Sequence, residues 1–138
     1  MKLTLTRTDE AFQLTSKSEA GHTVVSDASE SIGGQNTGMR PMEALLHSLA
    51  ACSAIDILNI LTKQKQKITN FQMEVEGKSK EGTPSPFESI TIKTIISGKV
   101  DPPKLERAID LTREKYCSVR FSLHPDIAIE YTYQIIES

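Results

Sequence analysis

At 138 residues and a formal net charge of −2, the chain can build one domain with its own core, and it lacks the basic excess that nucleic acid or an anionic membrane surface selects. Two cysteines are not a scaffold at this size. In a cytoplasmic protein such thiols are reduced, metal-bound or reactive. The start, Met1-Lys2-Leu3-Thr4-Leu5-Thr6, alternates and has no apolar leader segment, which also points to the cytoplasm.

In chain order, Leu3 and Leu5 alternate with polar neighbours and predict a strand. Phe12 and Leu14 predict a second, paired with the first as a hairpin, and His22 to Val25 a short third. Residues 26–39 are rich in Ser, Gly and Asn and read as a long loop, a kind of segment that often carries function. A helix is expected from Pro41 to about Gln66. Proline is tolerated in its first turn, Ala and Leu dominate it, and no later Gly or Pro interrupts it. Glu43 near the start and Lys63, Lys65 and Lys67 near the end suit the helix dipole. Alternation at Phe71, Met73 and Val75, and again at Ile90, Ile92 and Ile96, predicts two more strands. Asp101-Pro102-Pro103 reads as a cap and first turn of a second helix, with Leu105, Ala108, Ile109, Thr112 and Tyr116 on its apolar side. Cys117 falls at or just past its end. A turn at His124-Pro125 leads to a strand marked by Ile127, Ile129, Tyr131, Tyr133 and Ile135. The order predicts an α+β fold, its sheets mostly antiparallel around a long central helix.

The central helix is the least polar stretch, with Asp56 its single charge from Ala44 to Leu61. Its apolar residues run nearly all the way round, as in a helix buried on most sides. Its length approaches that of a membrane span, but His47, Ser48, Ser53, Asp56 and Asn59 interrupt it, so a central helix is the better reading. One small sheet covers one side only, and a second copy of the chain is expected to cover more.

Cys52, near the middle of that helix, and Cys117 form the main chemical constellation. Two readings stand: a thiolate nucleophile with a resolving partner, or two buried core cysteines. Asp56 follows Cys52 by one turn on the same face and brings no positive charge. No Cys-x-x-Cys or His-x-x-x-His pair is present, and no metal site or cofactor is expected. Gly33-Gly34 lacks the setting of a phosphate loop.

Gly38-Met-Arg-Pro-Met-Glu-Ala-Leu-Leu-His-Ser-Leu-Ala-Ala-Cys-Ser-Ala-Ile-Asp56 resembles the central-helix motif of the OsmC/Ohr family, and Lys115-Tyr-Cys-Ser-Val119 resembles its second cysteine motif. The order of elements is similar over nearly the whole chain. The resemblance implies an intertwined homodimer with two interface sites. It further implies a thiol-dependent peroxidase for organic hydroperoxides, in which Cys52 attacks, Cys117 resolves and an external dithiol reduces the product. In characterised members a Glu directly follows the motif proline; here Met42 does, and Glu43 comes next. Those members also carry an Arg in the amino-terminal Gly-rich turn, which here reads Ala20-Gly21-His22. We therefore expect His22 or Arg40 to supply positive potential near Cys52. The alternative is a non-enzymatic dimer, binding a small apolar ligand or sensing redox state, without membrane or nucleic-acid partners.

Overall fold

The computed structural model describes residues 1–137, which divide into two compact units, one over 1–45 and one from 46 onward. The first holds β1 (Leu3–Arg7), β2 (Leu14–Ser18) and β3 (Thr23–Ser26), paired antiparallel in that order. The expected hairpin is present, although Phe12 stands in its turn rather than in β2 and lies against Gly33. The long loop follows, with one 3₁₀ turn at Glu30–Ile32 and a bridge from Ser26 to Met39.

Asp27 is the hub of that loop. Its Oδ2 accepts from the Thr37 hydroxyl at 2.6 Å and from the N–H groups of Gln35 and Thr37 at 3.1 Å, and its Oδ1 accepts from Ala28 N–H at 2.7 Å. These donors, Thr37 foremost, hold its pKa below the ordinary 3.8, at about 2. A depressed carboxyl stabilises the fold fully above its unfolded pKa, so this contribution is lost as pH falls from about 4 through about 2. A carbon-detected NMR titration should place the Asp27 midpoint near 2; a midpoint at the ordinary value would contradict these bonds.

The second unit is built on α1 (Pro41–Lys63), whose first turn lies in the first unit. The helix stops short of Gln66, because Lys65 takes a left-handed conformation at φ 58°. Then follow β4 (Lys67–Ser79), β5 (Phe87–Lys99), α2 (Pro102–Leu111), a π-helical turn (Thr112–Tyr116), α3 (Ser118–Ser122) and β6 (Ala128–Ile136). Asp101 occupies the α2 cap position, but its side chain makes no capping bond; its N–H donates to Gln66 Oε1 at 2.8 Å.

β5 is the middle strand of this sheet, antiparallel to β4 and parallel to β6. The parallel pair differs from simple hairpin expectations because α2 carries the chain across as a βαβ crossover. The alternating face of β5 buries Ile90, Ile92 and Ile96; with Ile57 and Leu61 of α1 and Leu105, Ala108 and Ile109 of α2, Ile96 belongs to one core cluster. Gly98 closes β5 at φ 123°, where a Cβ would stand 2.1 Å from the Lys67 carbonyl oxygen, so only glycine fits beside the β4 bulge.

Two expectations about burial change. Tyr116 is exposed, because the π turn carries it off the apolar face that Leu105, Ala108, Ile109 and Thr112 do bury. Within one chain α1 buries a single stripe, Leu49, Ser53, Ile57 and Leu61, and leaves Ile55 67% exposed. By length and composition alone, α1 would suffice to cross a membrane.

Candidate functional site

The buried stripe of α1 has a four-residue step, so Leu49, Ser53 and Ile57 stand above one another on one face. Ser53 is the polar member of that stripe. Its hydroxyl donates toward Cys117 Sγ at 3.7 Å and lies 3.3 Å from the hydroxyl of Tyr131 on β6. Cys52, its neighbour, is half-buried, and Cys117 is fully buried. The two sulfurs and one carboxylate oxygen of Asp56 all lie within 4.8 Å of one another. Both cysteines are free thiols.

The π turn delivers Cys117. It inserts one residue's worth of backbone between α2 and α3 and ends with Cys117 N–H donating to Thr112 O at 3.1 Å. Such π insertions recur at functional sites. Burial pushes the Cys117 thiol up; the Arg120 backbone N–H and the Ser53 hydroxyl pull it back, and Cys52 pushes it further up. Burial raises Tyr131 as well, against an opposing pull from Ser53 and from the Arg120 and Arg113 charges. Asp56 is raised by desolvation, and its Oδ2 has no hydrogen-bond partner among the described residues. Arg120 Nε is likewise buried without a partner.

Of the residues singled out in the sequence, the structure brings Cys52 and Cys117 together. Glu43 serves the start of α1: its Oε1 accepts the Arg40 backbone N–H at 3.0 Å, the returning half of a capping box. The Arg40 guanidinium reaches Gly38 O and Asn36 Oδ1, each at 3.4 Å. His22 is exposed in the β2–β3 turn, where its backbone N–H donates to Ser18 Oγ at 3.1 Å. Ser53, Tyr131 and Arg120 were missed. Tyr131 was visible as one face of a strand, but nothing in an alternating pattern says what that face meets.

Comparison with known proteins agrees with this geometry. The OsmC-like protein family matches residues 34–132, which include both cysteines, Asp56 and Tyr131. Protein YhfA of Escherichia coli (strain K12) is 29% identical over 128 residues, 92% of either chain. A crystal structure of a hypothetical protein from Aquifex aeolicus VF5 superposes with a TM-score of 0.86 at 31% identity, over 99% of this chain and 96% of that one. An organic hydroperoxide resistance protein OsmC from Legionella pneumophila shares the fold at a TM-score of 0.70 and 13% identity, over 97% of each chain. The α+β architecture read from the sequence is thus the one these relatives have, and the chain belongs to the OsmC-like protein family.

Proposed function

We propose that the protein is a thiol-dependent peroxidase that reduces organic hydroperoxides, and that it acts in the cytoplasm as a homodimer. The observation that carries this reading is the approach of two free thiols, one half-buried and one buried, to within 4.8 Å. The family match over residues 34–132 spans both units and supports treating the chain as one functional domain. Free thiols this close persist in a reducing compartment.

In this mechanism Cys52, the more accessible sulfur, attacks the distal peroxide oxygen as a thiolate. The O–O bond breaks, the alkoxide leaves with a proton as an alcohol, and Cys52 becomes a sulfenic acid. Cys117 attacks that sulfur, water leaves, and a disulfide forms. An external dithiol returns both cysteines to thiols and is itself oxidised to a disulfide. Closing the pair to a bond of ~2.05 Å needs rotation of both side chains, and the π turn and short α3 flanking Cys117 give its backbone room to follow. Apolar neighbours on α1 suit an alkyl or fatty peroxide better than hydrogen peroxide. The positive potential that a thiolate needs has candidates in Arg40 and His22. Arg120 joins them, because its charge reaches Tyr131 and its Nε lacks an acceptor among the described residues.

One equivalent of cumene hydroperoxide added to reduced protein tests the scheme. Mass spectrometry should find a Cys52–Cys117 disulfide in the wild type and a trappable sulfenic acid on Cys52 in Cys117→Ser. A wild-type protein that keeps both thiols through that treatment would favour a dimer that binds small molecules without turning them over.

A further inference from the structure

The peroxide scheme uses two of the three side chains that meet at the middle of α1, and Asp56 is the third. Cys52 and Asp56 stand four residues apart on one helix and so project side by side, while Cys117 arrives from the π turn. One Asp56 carboxylate oxygen and both sulfurs are mutually within 4.8 Å. A carboxylate beside a thiolate is repulsive and does nothing for peroxide attack. Its Oδ2 is also buried without a hydrogen-bond partner among the described residues, a condition that few buried polar atoms in folded proteins tolerate.

We propose that Cys52, Cys117 and Asp56 form a three-ligand site for a thiophilic divalent cation of the Zn²⁺ type, with a fourth position left open. Two thiolates and a carboxylate are a donor set that zinc accepts, and hard cations such as Mg²⁺ and Ca²⁺, which prefer all-oxygen sites, do not. With Zn–S bonds of ~2.3 Å, two sulfurs of a tetrahedral site stand ~3.8 Å apart. Separations within 4.8 Å reach that by small side-chain rotations. The Ser53 hydroxyl, 3.7 Å from Cys117 Sγ and backed by Tyr131, is placed as the outer partner that orients a ligand sulfur. Three anionic ligands around a dication leave one negative charge. Asp56 also lines a cleft of about 430 Å³ with Asn59, Gln64 and Tyr116, which gives an ion a route in.

Binding is an exchange without oxidation: the cation takes two sulfur ligands, and the two thiol protons go to solvent. Cation and disulfide then exclude each other, since each needs both sulfurs. The site would shield the pair from oxidation when metal is abundant and release it when metal is scarce. None of this depends on the peroxidase reading, because the donor set is the same whether or not the thiols meet a hydroperoxide.

The test is titration of the reduced, metal-free full chain with Cd²⁺ alone, with no peroxide present, followed by Zn²⁺ competition. Sulfur-to-cadmium charge-transfer absorption should saturate at one ion per chain and be displaced by zinc. Asp56→Asn, which keeps the volume, and Asp56→Ala should each weaken binding by more than the ~10–100-fold that losing an outer-shell partner costs. Cys52→Ser and Cys117→Ser should each lose part of the absorption and most of the affinity. Failure of the wild type to bind cadmium at micromolar concentration would overturn the site. So would Asp56 variants that stay folded by circular dichroism and bind as tightly as the wild type. Peroxide turnover, assayed separately in metal-free buffer, does not bear on either outcome.

Discussion

Serine in place of Cys52 should reduce steady-state consumption of an organic hydroperoxide by at least about a thousandfold, the scale on which removing a covalent nucleophile acts. A serine hydroxyl stays protonated where a thiol can ionise, and its oxygen is a far poorer partner for the weak O–O bond. The neighbouring Cys117 cannot stand in easily, because it is fully buried and its thiol is pushed up by that burial. Cys117→Ser should behave differently: the first turnover survives, and later ones stall at the sulfenic acid. Progress curves with excess peroxide and a dithiol reductant separate the two. A Cys52→Ser protein that turned over at the wild-type rate would move the nucleophile elsewhere.

Charge on the open side of α1 should break the proposed homodimer. In one chain Ile55 is 67% exposed, every residue of β1 is exposed, and Leu3, Leu5 and Val24 are 61%, 57% and 50% exposed. A three-stranded sheet with so little cover is poorly stable alone, and obligate interfaces bury more than ~2,000 Å² in total. Sedimentation at micromolar concentration should give about twice the chain mass of 15.3 kDa. In a two-fold interface each residue counts twice. Loss of an Ile side chain worth ~1.5–3 kcal/mol per subunit therefore weakens association by roughly 3–6 kcal/mol, about a hundredfold or more. Ile55→Asp adds a desolvated charge to that loss and should sediment as monomer or unfold. A wild type that is monomeric and well folded at that concentration would defeat the dimer.

What the sequence made legible follows the length scale of each signal. The helix from Pro41 was plain because composition, proline placement and charge at its ends agree, and the shared face of Cys52 and Asp56 follows from a four-residue step. The position of Cys117 at a helix end was also readable. The π turn before it was not, since five ordinary helical residues, Thr112–Tyr116, announce no widening of the backbone. α3 was missed because Ser118–Ser122 is a single turn containing Val and Phe, which carry no helical signal. The parallel pairing of β6 lies in a crossover that alternation cannot report. Asp56 could be placed on the face of Cys52, but nothing in the spacing of the two cysteines said that Cys117 would come within 4.8 Å of both.

The crossover also sets a timetable. Parallel β5–β6 pairing cannot form by zipping up from a tight turn; the intervening helix must close first, which makes it a late and slow contact. Tyr131 rides on β6, which follows every other element of the fold. During synthesis, domains fold as units once their elements have emerged. Until β6 docks, Cys52 and Cys117 are two ordinary thiols on an unfinished chain, without the Ser53–Tyr131 pair that fixes their surroundings. The topology thus delays the meeting of the two thiols with Ser53 and Tyr131 until the remainder of that unit has been made.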